Sequence, residues 1–213
     1  MKKSNLQYAA IFSIVYFLLS MFYSYILIYS VEIYRLVIIL FLTILTLLTV
    51  IIFLYFKRFL KYYYNFKDHN RLIYWLILME ILHNSYLITF YNQLNKTNNY
   101  YYIAATIGAV ISALMFVFYM SIAAKLLKIA KKSTRLMLPF AWSFFLIPII
   151  AIVSFTYSIV FQEEDIVTSF EYNNTSLLLS FLKAFPFLFL TLVYYRAYIH
   201  KHKHQIKAKT SSD

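Results

Sequence analysis

Residues 36–56 read LVIILFLTILTLLTVIIFLYF, twenty-one positions without a single charge, and Lys57 and Arg58 follow at once. An α-helix rises about 1.5 Å per residue and the hydrocarbon core of a bilayer is roughly 30 Å thick, so about twenty such residues make one crossing. Inside lipid every backbone N–H and C=O must be paired within the segment or in a closed barrel. The run is long enough for one helical crossing.

Working outward from this stretch, five more segments have the same character. They cover about residues 6–29, 72–90, 103–124, 136–161 and 177–198, with Pro148 inside the fifth and Pro186 inside the sixth. The expectation is an all-α fold, a polytopic membrane helix bundle with six transmembrane helices, occupying residues 1–199. Residues 200–213 form a basic cytoplasmic tail, expected to be unstructured or lipid-associated. Met1-Lys2-Lys3 before an apolar run imitates a secretory signal, but the run is too long and lacks a small-x-small cleavage site, so it reads as a retained first helix.

Composition agrees. Hydrophobic residues make up 62% of the 213 and charged ones 13%, far from the balance of soluble domains. One glycine, three prolines and no cysteine exclude a disulfide framework, a zinc-thiolate site, a cysteine nucleophile and a glycine-rich phosphate loop.

The net charge of +12 raises the question of nucleic acid, and the positions of the charges answer it. Cytoplasmic loops collect Lys and Arg near helix ends. With the N-terminus inside, Lys2 and Lys3, the segment from Lys57 to Arg71, the segment from Lys125 to Arg135 and the tail from Arg196 onward are all cytoplasmic, and together they hold 17 of the 20 basic residues. Arg35 and Lys96 fall on the other side, with Glu32, Glu163, Glu164, Asp165 and Glu171, and Lys183 falls within a span. Both termini are therefore expected in the cytoplasm, in the cytoplasmic membrane of a bacterium. The expected partners are the lipid bilayer, with anionic lipids at the cytoplasmic face, and a second copy or another membrane subunit; nucleic acid is not expected. Tyr29, Tyr34 and Tyr100 to Tyr102 on one side, and Tyr55, Tyr62 to Tyr64, Tyr194, Tyr195 and Tyr198 on the other, read as interfacial belts.

An ionisable side chain inside the bilayer is costly and usually faces a partner or a cavity, which singles out Glu80, His83 and Lys183. Glu80, His83 and Asn84 share one face of the third helix, and Lys183 lies at an overlapping depth in the sixth. These four residues are the candidates for ligand binding or proton relay, in a polar pocket between helices 3 and 6; the plainer alternative is a Glu80–Lys183 pair, or polar groups that only fix helix register. Ala105, Ala109 and Ala113, with Gly108 and Ser112 beside them, form a small-residue face suited to helix packing in the bundle or a homodimer. Thr43, Thr46 and Thr49 read as hydroxyls bonded to carbonyls of their own helix.

Catalytic patterns are missing. A single intramembrane histidine cannot provide bis-histidine haem ligation. Glu80-Ile81-Leu82-His83 is one Glu-x-x-His where di-iron sites need two, and it is not the His-Glu-x-x-His of metalloproteases. His200 and His204 have a spacing that metal ligands use, but lysines flank them and no carboxylate is near, so no metal and no cofactor are expected. The functional expectation is a non-enzymatic sensory, regulatory or accessory membrane subunit. The alternatives are a small-solute transporter or ligand-binding transport component, and an intramembrane enzyme using Glu80 and His83 as acid and base.

Overall fold

The computed structural model describes residues 3–29, 35–64, 70–90, 99–130, 137–162 and 169–210, with the side chains of most of them. These are six helices: α1 (Lys3–Tyr29), α2 (Arg35–Tyr64), α3 (Asn70–Phe90), α4 (Asn99–Ala130), α5 (Met137–Gln162) and α6 (Ser169–Thr210). No strand occurs among the described residues. Five helices carry stretches long and apolar enough to cross a bilayer: Ser4–Ile26, Leu36–Tyr64, Arg71–Thr89, Thr106–Ile129 and Leu177–His200. In α5 the described apolar run is Met137–Ile150. This is compatible with an integral membrane protein. The helix expected to end near Ile199 continues to Thr210, through the basic segment expected to be unstructured or lipid-associated.

At most eight residues separate one helix from the next, and links this short make consecutive helices antiparallel neighbours. Each helix packs against the next in the chain, and α6 packs against α1. The six helices therefore close into a ring in sequence order, with α3 and α6 on opposite sides of it. Among the described residues α3 and α6, between which a polar pocket is expected, do not pack side by side.

The alternation also sorts the charges. Lys57, Arg58, Lys61, Arg71, Lys125, Lys128 and Arg196 gather at one end, the basic end; the opposite end is the far end. At the basic end Lys57 of α2 donates a hydrogen bond to the Tyr74 hydroxyl of α3 and lies 3.7 Å from the centre of that ring.

The buried core sits in the half of the ring nearer the basic end. Phe53, Phe56 and Phe59 of α2 point along one inward stripe, spaced three apart, and all are fully buried. Phe53 meets Phe144 of α5 edge-on at 6.4 Å and Phe187 of α6 at 6.3 Å. Phe56 meets Phe140 of α5 edge-on at 5.4 Å, and Phe59 meets Tyr194 of α6 at 5.3 Å and 89°. Contacts from α2 to α5 and α6 cross the ring, so these rings fill its axis as an aromatic plug. In lipid there is little hydrophobic gain from helix association, and close van der Waals packing of this kind is what holds the helices together. Tyr194, expected at an interface, is instead 0% exposed inside the plug. Its hydroxyl has no hydrogen-bond partner among the described residues. Tyr62, Tyr63, Tyr74, Trp75 and Tyr195 are exposed near the basic end, as aromatic belts are.

Candidate functional site

Above the plug, toward the far end, the inward stripes turn polar. On α1 the buried stripe Leu6, Ala9, Ser13 leads to Tyr16; on α2, Phe56 and Phe53 lead to Thr49; on α3, Ile73 and Leu76 lead to Glu80; and on α4, Leu126, Ala123 and Ile122 lead to Tyr119. The spacings of three and four residues place each polar group on the face that its helix buries. Each of these four residues also lies within two positions of the middle of its apolar stretch. Four helices thus contribute one polar side chain each to a layer at mid-depth.

The layer is connected. The Tyr119 hydroxyl donates to Oε1 of Glu80. Tyr16 sits against the Thr49 side chain, within electrostatic reach of Glu80, and Tyr119 is close enough to interact with Tyr16. Both tyrosine rings rest on the plug: Tyr16 is 4.2 Å from Phe187 and Tyr119 is 5.2 Å from Phe144, centre to centre. Their apolar bodies face the phenylalanines and their hydroxyls face the carboxylate, a division of labour that tyrosine suits.

One turn beyond Glu80, His83 is half-buried, and its Nδ1 is buried with no hydrogen-bond partner among the described residues. Asn84 beside it donates to the Thr46 hydroxyl of α2 at 2.9 Å. The threonines of α2 satisfy their own carbonyls as expected: Thr43, Thr46 and Thr49 donate to Ile39, Leu42 and Leu45 at 2.7, 2.6 and 2.9 Å. Thr46 in addition serves as the acceptor that holds Asn84.

Lys183 lies on the same α6 face as Phe187, Leu190 and Tyr194, which are buried, yet Lys183 is exposed. It sits about one and a half turns from the middle of its apolar stretch, displaced toward the far end. No ion pair joins it to Glu80 among the described residues. Within the same helix, Pro186 lacks the N–H that would bond the Leu182 carbonyl, so that oxygen next to Lys183 is left without its helical partner.

The small-residue face of α4 divides. Gly108 lies in line with Tyr119 on the inward stripe and meets Tyr86 of α3: a Cβ at Gly108 would stand 2.5 Å from the Tyr86 hydroxyl oxygen. Ser112, also in line with Tyr119, is exposed, as are Ala109 and Ala113; the side chain of Ala105 falls outside the described residues. On the far side of the polar layer Ser112 and Lys183 are exposed, while Leu45, Leu42 and Ile38 of α2 and Tyr86 of α3 are buried.

Tyr16, Thr49 and Tyr119 were not singled out as site residues in the sequence. The signal available was their position: each is a polar group in line with an apolar stripe at mid-stretch. Among the described residues no cluster of three or more His, Asp or Glu side chains is placed to hold a metal ion. Comparison with family models, curated proteins and solved structures finds no match for the chain.

Proposed function

We propose that the chain is a six-span membrane protein of a bacterial cytoplasmic membrane, with both termini cytoplasmic, that binds a small polar ligand at mid-membrane and acts as a non-enzymatic sensory or accessory subunit. The basic end is then the cytoplasmic end, by the excess of Lys and Arg there, and the ligand enters from the far, external side. α5 counts as the sixth crossing because its 26 residues extend about 39 Å at helical rise.

The observation that supports this best is the layered axis: an aromatic plug on one side, a connected polar layer of Tyr16, Thr49, Glu80 and Tyr119 at mid-depth, and an exposed Lys183 on the inward stripe above it. A carboxylate kept inside a membrane is expensive, and one facing an opening has access to a ligand. Among the described residues no nucleophile paired with a base supports a hydrolytic reading.

A ligand-binding transport component is the second reading. Tyr194 favours it, since a fully buried hydroxyl without a partner is a group that a rearranged plug would satisfy.

The test uses the absence of cysteine from the chain. Lys183→Cys and Ser112→Cys, expressed singly, are expected to react with a membrane-impermeant thiol reagent added outside intact cells, while Phe56→Cys stays unlabelled. Labelling of the first two only after permeabilisation, or not at all, sinks the externally open site.

A further inference from the structure

We infer that the ligand of this site is a small zwitterion, its ammonium held by Glu80 and its carboxylate by Lys183. The inference rests on the mid-membrane site proposed above and adds the chemical class that would occupy it.

Glu80 and Lys183 are opposite charges on the inward faces of α3 and α6, helices on opposite sides of the ring. No ion pair joins them among the described residues. Glu80 has one hydrogen bond, from Tyr119, which leaves carboxylate lone pairs open. Lys183 is exposed on the stripe that faces them. Their positions along the helices differ by about 8 Å at helical rise, a gap that the long lysine stem narrows and that a bound molecule can bridge.

Charge balance selects the class. A simple cation at Glu80 would be repelled by Lys183, and a simple anion at Lys183 would be repelled by Glu80. An overall neutral molecule carrying both charges matches both groups and replaces two separate desolvation costs with two charge-assisted hydrogen bonds. His83 lies between the two levels on the inward face of α3, and its buried, unpartnered Nδ1 supplies a third polar contact, to the carboxylate as a donor or to the ammonium as an acceptor. The axial offset of about 8 Å between the two charges at helical rise matches a small molecule with its two charges a few bonds apart, such as an amino acid.

The experiment is thermal unfolding of the full chain in lipid nanodiscs with glycine, 4-aminobutyrate and 6-aminohexanoate, and with butylamine and butyrate as single-charge controls. At least one zwitterion is expected to raise the Tm by roughly 5–10 °C at about a hundred times its Kd, with neither control doing so. Lys183→Gln is expected to abolish that rise, Lys183→Arg to retain it, and Glu80→Gln to shift the response toward butyrate. Should a charge variant fail to fold, protection supplies the same answer: the zwitterion that stabilises the protein is expected to slow thiol labelling of Ser112→Cys at least tenfold. A shift with butylamine or butyrate alone, or with none of the five, overturns the zwitterion. Labelling of Lys183→Cys from outside then shows separately whether the open site itself stands.

Discussion

Tyr119 of α4 donates its hydroxyl to the carboxylate of Glu80 on α3, and the Tyr119 ring rests on Phe144 of α5. One side chain therefore joins the polar layer to the aromatic plug. Losing that donor leaves a carboxylate in the membrane with no hydrogen bond among the described residues.

Tyr119→Phe keeps the ring on Phe144 and removes only the donor. Hydrogen bonds to charged groups are worth about 1.5–3 kcal/mol, and the loss is expected as a lower unfolding midpoint in detergent. Combined with Glu80→Gln, the penalty should shrink, because an amide costs less to leave unpaired than a carboxylate. Additive losses in the double mutant would show that the two groups do not act together.

Gly108→Ala tests the α3–α4 contact. The new methyl would stand 2.5 Å from the Tyr86 hydroxyl oxygen and 2.8 Å from the ring carbon that bears it, so the helices must part or the ring must turn. Overpacking of this kind costs about 1–3 kcal/mol. A companion Tyr86→Leu change, which empties that space, is expected to restore most of the stability; unchanged unfolding in Gly108→Ala alone would contradict the close approach.

Phe140 and Trp142 are two residues apart on α5 and lie on opposite faces. Phe140 is 0% exposed in the plug and Trp142 is 59% exposed. Phe140→Ala is expected to destabilise by about 2–3 kcal/mol, below the ~3–5 kcal/mol of soluble cores, because lipid is no poorer a solvent for the ring and only packing is lost. Trp142→Ala is expected to stay within about 0.5 kcal/mol. Equal losses would place the plug elsewhere.

Orientation is checked by single cysteines outside the ring. Lys61→Cys and Lys128→Cys, at the basic end, are expected to react with an impermeant reagent only after the cells are opened. Lys96→Cys is expected to react in intact cells. The reverse pattern would invert the molecule and move the ligand's entry to the cytoplasm.

Hydropathy and charge carry much of this architecture. The uncharged run from Leu36 and four of its five counterparts lie within helices, and the other, 136–161, coincides with α5 from Met137 onward, because length in lipid is dictated by bilayer thickness. Glu80, His83 and Asn84 were legible as one face because helical spacing is local. The ring was not legible: that α6 closes on α1, and that α3 and α6 stand opposite each other, depends on how six nearly uniform surfaces pack, and the helices are apolar on most sides. Tyrosine was the most misleading letter. With 22 of them, most suit an interface, and Tyr16, Tyr119 and Tyr194 differ only in lining up with buried stripes. The small residues of α4 were equally ambiguous, since Gly108 meets Tyr86 while Ala109 and Ala113 are exposed.

Closure of the ring by α6 against α1 also bears on biosynthesis. Helices leave the ribosome in order, so until α6 has been made and released, Glu80 and its tyrosines lie in an unsealed arc that lipid can enter. A carboxylate within the apolar stretch of α3 must therefore wait for the last helix. A nascent chain arrested before α6 is predicted to be a substrate for membrane proteases, while one released after it survives, which makes assembly of the polar layer the step that quality control would read.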